Sequence, residues 1–457
     1  MPRRLPPELV DQAINWIYLD SDRWDSHSKR TKLIREPALV CKEWAAICRP
    51  YIFREIRINK RRANQFLALL QTAPAIGLVV KRLMFDGRDR HRKRGSLSWL
   101  VSAFTSFHNY LPNINDFCIN YARIPRSEDA VDWTTSLYPL LETMASVRTL
   151  VIEDTGASPD IVQELSCAFP NLDCVMLSEC YFMSEFDEDS ETTYDHPPTF
   201  RQLCVDWYGS HYSAVTDDPN AWASGSLDTL APFLLTAEPN RSLRSLKLNI
   251  CREHLRSVVS LIDQLGPRLE ELALDVKINE NVHDEHPGPI TLKSNTNLQH
   301  LTLAVPKLQK NYCEWTNTIS STHLRRLEYH VIFHDTDFTA LASELTRPNF
   351  AGLDELTFVC LTVSNDPHPE GPDTKLRSNV EKYIPKFVNR HGHDVLRFKH
   401  DEWYYSGGPY DVFYMAERHF SYDDEQWDSW SGGDDEEVDT RRSYLSYYLP
   451  PDEINEE

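Results

Sequence analysis

One spacing constrains this chain more than any other feature: an apolar residue, two variable residues, a second apolar residue, one variable residue, then a third apolar residue. It stands as Val80-Leu83-Phe85, Ile114-Phe117-Ile119, Val147-Leu150-Ile152, Leu172-Val175-Leu177 and Phe200-Leu203-Val205. It continues as Leu243-Leu246-Leu248, Leu269-Leu272-Leu274, Leu298-Leu301-Leu303, Leu324-Leu327-Tyr329 and Leu353-Leu356-Phe358, with a weaker copy at Leu396-Phe398. The last two residues of each triplet lie two apart, so on a short strand both point into one core, while the first anchors the turn into the strand. Between triplets, Ser158 to Phe169, Ser226 to Glu238, His254 to Gly266 and Thr339 to Phe350 place apolar residues three and four apart, which predicts helices. Strand, loop and helix recurring about every 25 to 30 residues predict a solenoid in which each unit buries its apolar face against the next.

Over residues 76–400 the triplets resemble the leucine-rich-repeat family. Cys180 and Cys251 fall three residues after the last strand leucine, where that family places Asn or Cys to satisfy loop backbone groups. Thr155, Tyr208, Lys277 and Pro306 hold this position elsewhere, so the family's asparagine ladder is mostly missing. The resemblance implies an α/β fold with an irregular solenoid over residues 59–400. Strand residues that do not point into the core form one continuous surface in such an array. That register makes Met176, Gln202, Asp206, Lys247, Asn249, Glu271, Asp275, Arg326, Glu328 and His330 the candidate target-binding residues. Their mixture of charged and small side chains suits a protein target, not nucleic acid.

The first 58 residues read differently. Leu5-Pro6-Pro7-Glu8-Leu9 opens a helix, since proline suits a first turn, and Leu9, Ala13, Ile14 and Ile17 form an apolar stripe. A polar loop is expected from Asp20 to Arg30. A second helix from Pro37 to Cys48 would put Leu39, Val40, Trp44 and Ile47 on one side, ended by Pro50. The order resembles the F-box, carried by Leu5, Pro6, Glu8, Leu9, Ile14, Leu39, Val40, Cys41, Trp44, Pro50 and Phe53. The stretch from Asp20 to Glu36 departs from it, being longer and without the usual polar-leucine helix. The resemblance implies that residues 1–58 dock on the small adaptor subunit of a cullin–RING ligase through Leu5, Pro6, Leu9, Ile14, Leu39, Val40, Trp44, Pro50 and Phe53. The chain would then be the substrate-recognition subunit of an SCF-type E3 ubiquitin ligase. A bland reading of the same residues is a helical cap for a stand-alone interaction scaffold, because every solenoid needs its end covered.

The formal net charge of −21 disfavours general attraction to nucleic acid or anionic membrane. The charge is polarised: residues 1–100 carry about +11 and residues 401–457 about −14, an asymmetry that marks interaction surfaces. The N-terminus lacks the apolar run of a signal peptide, no run of about 18 apolar residues offers a membrane span, and the ten cysteines form no CxxC pair. Reduced thiols in a cytoplasmic or nuclear protein are expected. No GxSxG, GxxxxGK[ST] or post-strand GxGxxG motif is present, so the expectation is a non-catalytic chain with no cofactor. His283-Asp284-Glu285-His286 lacks metal-ligand spacing. Cys167, Cys174 and Cys180 occupy three different structural positions in one repeat, so no metal is expected. His391 and His393 read as exposed residues at a helix end. The basic run 88–94 reads as a charged loop or a nuclear-localisation signal. From Glu402 onward, aromatic residues alternate with acidic runs; part would cap the last repeat, and the rest would bind a basic partner or fold back on the basic N-terminal region.

Overall fold

The structure is a computed structural model that describes residues 5–20, 27–88, 95–96, 98–124, 137–153, 155–157, 159–178, 180–182, 200–206, 242–251, 255–277, 290–304, 315–332, 343, 345–363, 382 and 396–403. Three helices come first: α1 (Pro7–Asp20), α2 (His27–Ala38) and α3 (Lys42–Ile52). Helix α2 is a correction to the end of the polar loop expected from Asp20 to Arg30, of which residues 21–26 lie outside the described residues: α2 carries few apolar residues, but Ile34 is buried in the small core of Val10, Ile14, Tyr18 and Cys48, and Ala38 packs against it. The helix expected from Pro37 to Cys48 is in fact two. Leu39 and Val40 form the turn between them, Cys41 caps α3 by accepting the Trp44 N–H, and Pro50 lies inside the last turn, short of the helix end.

The strands follow in chain order as β1 (Glu55–Asn59), β2 (Arg82–Asp86), β3 (Gly95–Ser96), β4 (Asp116–Asn120), β5 (Ala122–Arg123), β6 (Thr149–Glu153), β7 (Gly156–Ala157) and β8 (Cys174–Ser178). They continue as β9 (Tyr181–Phe182), β10 (Gln202–Asp206), β11 (Ser245–Cys251), β12 (Glu271–Lys277), β13 (His300–Ala304), β14 (Arg326–Ile332), β15 (Glu355–Val363) and β16 (Leu396–Trp403). Twelve of them make one sheet in the order β1-β2-β4-β6-β8-β10-β11-β12-β13-β14-β15-β16, every pair parallel. Parallel neighbours need crossover connections, and α4 (Ala63–Thr72), α5 (Ser98–Phe107), α6 (Tyr138–Glu142), α7 (Pro159–Ala168) and α8 (Leu255–Leu265) lie on such connections. This is a mixed α/β repeat solenoid. The sheet begins at Glu55, within the last residues of the stretch read as the helical module.

Each triplet sits where its spacing places it. The two strand positions, from Leu83 and Phe85 through Leu356 and Phe358, line one buried core together with Phe66, Phe104, Leu165 and Val258 from the helices. Phe85 is a hub: its ring centroid lies 5.3 Å from Phe117, 6.0 Å from Phe104 and 6.3 Å from Phe107. A second, short parallel sheet, β3-β5-β7-β9, follows the strands of the early repeats.

Two ladders set the stacking. At strand entry one carbonyl in each repeat accepts two N–H groups from the next. The Arg54 carbonyl takes those of Lys81 and Arg82, that of Lys81 takes Asn115 and Asp116, and the series runs on to Arg325 with Asp354 and Glu355. The second ladder uses asparagines just before the triplet anchor. Asn113 donates to the Leu78 carbonyl at 2.8 Å, Asn171 to Ala145 at 2.9 Å and Asn297 to Pro267 at 2.7 Å. Asparagines thus bridge neighbouring repeats at three places ahead of the strand, while the post-strand asparagine ladder of the family resemblance stays mostly missing. After the strand, Cys180 performs the expected role, its thiol donating to the Ile152 carbonyl at 3.1 Å. Thr155 does the same work, its hydroxyl donating to the Glu153 carbonyl at 2.6 Å and accepting the Ala122 N–H.

Candidate interaction surfaces

The helical module is joined to the sheet by polar contacts. The Tyr18 hydroxyl donates to Glu55 Oε1 at 2.6 Å and the Arg54 guanidinium lies 5.1 Å from the Tyr18 ring centroid; within the module, the Tyr51 hydroxyl donates to Asp11 Oδ1 at 3.1 Å. Burial and the Asp11 carboxylate hold the Tyr51 phenol above its ordinary range.

Helix α1 is apolar on two faces. At about 100° per residue, Val10, Ile14 and Tyr18 share the face turned into the module, and Leu9 and Trp16 share the opposite one. Of the residues expected to face an adaptor, Leu5 (57% exposed), Leu9 (50%), Leu39 (86%) and Val40 (63%) are open, as are Pro6 and Pro50. Ile14, at 2%, is a correction. It belongs to the core of the module, because the expected stripe of Leu9, Ala13, Ile14 and Ile17 splits across two sides of the helix. Trp44 is half-buried against the same small core, and Phe53 is half-buried against the core of the solenoid. Two members of the exposed surface were missed: Trp16, 70% exposed, and Leu33, 45% exposed on α2.

On the sheet face away from the core, parallel pairing aligns side chains in rows. The first row includes Gln202, Ser245, Glu271, His300, Arg326 and Glu355; the middle row includes Met176, Cys204, Lys247, Ala273, Thr302 and Glu328; the third includes Asp206, Asn249, Asp275, Ala304 and His330. All ten expected target-binding residues fall in these rows. The burial of the third row is a correction: Asp206 is 9% exposed, Asn249 0%, Asp275 5% and His330 6%, so none of the four is an open contact. Three of the four are bonded along or beside the row. The Asn249 amide donates to Asp206 Oδ1 at 2.8 Å, and His330 Nε2 lies 2.9 Å from Glu328 Oε1. Earlier in the row the Asn120 amide donates to Glu153 Oε2 at 2.9 Å. There Asp86 is held between Arg57 and Arg88, and Arg88 also covers the Tyr121 ring at 4.1 Å. Arg326 is exposed and pairs with Glu355 at 3.5 Å, while Glu271 accepts the Ser245 hydroxyl at 2.6 Å. Met176, Gln202, Lys247 and Glu328 are half-buried.

The middle row changes character along the array. From β2 to β10 it runs Met84, Cys118, Val151, Met176 and Cys204, an apolar and sulfur-rich stripe. From β11 it contains Lys247 and Glu328. Burial pushes the Cys118 thiol up to about 12, and burial followed by the Glu164 carboxylate pushes Cys167 to about 12, so both stay neutral thiols. Among the described residues no group of three His, Cys, Asp or Glu could hold a metal ion, and no helix is long and apolar enough to cross a membrane. Residues 89–94 of the basic run, the His283 to His286 segment, the helical spacing from Ser226 to Glu238, His391, His393 and the chain from Tyr404 onward lie outside the described residues.

No protein-family profile matches the chain, and no curated protein matches it. Among solved structures, it is similar to a chain in the crystal structure of the Rad7 and Elc1 complex in yeast. The two share 10% sequence identity and a TM-score of 0.29, over 83% of this chain and 86% of that one. At that TM-score the likeness carries no argument about fold or function.

Proposed function

We propose that this chain is a non-catalytic substrate-recognition subunit of an SCF-type ubiquitin ligase, its N-terminal helices docking on the adaptor and its exposed sheet face selecting a protein target. The observation that carries the reading is the second apolar face of α1. A helix of a small module buries one apolar stripe; Leu9 and Trp16 form another that the module leaves uncovered, and the Leu39–Val40 turn of the same module is exposed as well. Covering a Leu or Trp side chain contributes about 1.5–3 kcal/mol, so a few such residues supply most of a micromolar interface. On the sheet, exposed Arg326 and half-buried Met176, Gln202, Lys247 and Glu328 offer a mixed apolar and charged face with which to distinguish protein targets.

The test is co-purification of the full chain with a purified adaptor subunit, beside Leu9→Asp and Trp16→Asp variants of the full chain. The reading requires that the parent bind and that both variants lose binding by at least about tenfold. A parent chain that does not bind leaves the stand-alone scaffold as the better account.

A further inference from the structure

Helices α4 and α5 pack edge to edge on the first repeats, with the Phe66 and Phe107 rings 5.6 Å apart. Between them lies a groove of about 350 Å³ lined by Lys60, Asn64, Leu67, Trp99, Ser102 and Phe107. The charge around it is one-sided. Neither α4 (ANQFLALLQT) nor α5 (SWLVSAFTSF) contains an acidic residue, and Lys60-Arg61-Arg62 leads directly into α4. Lys60 and Arg61 are exposed, with no carboxylate within ion-pair distance among the described residues. A half-buried indole beside exposed cations suits a ligand that brings both a large aromatic side chain and carboxylates.

The chain itself carries a segment of that chemistry. Residues 404–457 hold fifteen Asp and Glu against three Arg, with twelve Tyr, Phe and Trp interleaved, as in Asp423-Asp424-Glu425-Gln426-Trp427-Asp428. We propose that the α4–α5 groove is the docking site of this C-terminal segment, an aromatic side chain seated over Trp99 and the flanking carboxylates set against Lys60 and Arg61. The tether is long enough. From β16 back to β1 the sheet spans roughly 50 Å at about 4.8 Å per strand, whereas a segment of this length reaches more than about 150 Å when extended.

The experiment places a photo-cross-linking amino acid at the exposed position Ser102 of the full chain and maps the products by mass spectrometry. Cross-links to residues 404–457 within one molecule are expected. Their yield should fall by about fivefold or more in Lys60→Glu/Arg61→Glu, and in parent protein at 0.5 M salt, which screens exposed pairs. The salt series keeps the test decisive if the double variant does not fold. Absence of these cross-links, cross-links that form only between copies, or a yield indifferent to both perturbations would overturn the proposal.

Discussion

Replacing Asn295 tests how the solenoid closes the gap between a helix end and the next repeat. Asn295 is fully buried, and its amide donates to the carbonyls of Ile262 at 2.9 Å and Gly266 at 3.0 Å, at the C-terminal end of α8. Helix C-termini leave carbonyls without intrahelical partners, and a buried one left unsatisfied costs about 1–3 kcal/mol. Gly266 keeps the Leu269 N–H as a partner at 3.3 Å, so Asn295→Ala takes the amide donor mainly from the Ile262 carbonyl, and the loss is about 1–3 kcal/mol. Asn295→Asp keeps the shape but removes the donor hydrogens, and it should lose at least as much; a cavity effect would spare it. Asn297 makes a single bond to the Pro267 carbonyl in an exposed setting, where water replaces the lost partner, so Asn297→Ala should lose no more than about 1 kcal/mol. Long repeat arrays unfold in parts, so the measurement is hydrogen exchange across residues 255–304 alongside urea unfolding. An Asn295→Ala loss below about 0.5 kcal/mol, or no larger than that of Asn297→Ala, would refute the reasoning.

Three further outcomes follow from the packing. A Cβ at Gly87 would lie 2.7 Å from the Tyr121 carbonyl oxygen and 2.9 Å from Ala122 Cα, both backbone atoms of the next repeat; Gly87→Ala should therefore lose about 1–3 kcal/mol in thermal or urea melts. In native protein at pH 8, iodoacetamide should label exposed Cys41 and spare Cys118 and Cys180, because alkylation needs an accessible thiolate; mass spectrometry showing Cys118 modified as fast as Cys41 would contradict the burial. Ile14→Asp should unfold the helical module, since it buries a charge without a partner, whereas Leu9→Asp on the open face should change stability by no more than about 0.5 kcal/mol. Far-UV circular dichroism and hydrogen exchange over residues 5–52 distinguish the two.

The sheet was legible because its signal is local and repeated. Leu246 and Leu248, or Leu301 and Leu303, declare their common face by a spacing of two, and each strand then finds its place beside the last. The ladders were legible only in part. Cys180 could be read because its distance from Leu177 is fixed. Asn113 and Leu78 are 35 residues apart, and nothing near either one announces the bond. Helix α2 was missed because HSKRTKLIREPA offers only Leu33 and Ile34 as apolar markers, too few for a period. On α1 the periodicity identifies apolar positions but not which of two faces the neighbouring helices cover, so Ile14 groups with Leu9 in the sequence and Trp16 stands outside the stripe. The burial of the sheet's third row is hidden from the sequence for a related reason. Sequence alternation tells in from out, but the bond from Asn249 to Asp206 depends on a strand 43 residues away.

The central claim is that the open apolar face of the N-terminal helices is an adaptor-docking surface, and titration of a purified adaptor subunit against the full chain by calorimetry tests it most directly. The account predicts saturable binding to the parent and at least about a tenfold loss in Leu9→Asp and in Trp16→Asp, with both variants folded. A folded parent that gives no binding heat and retains no adaptor on co-purification, or variants that bind as the parent does, would contradict it.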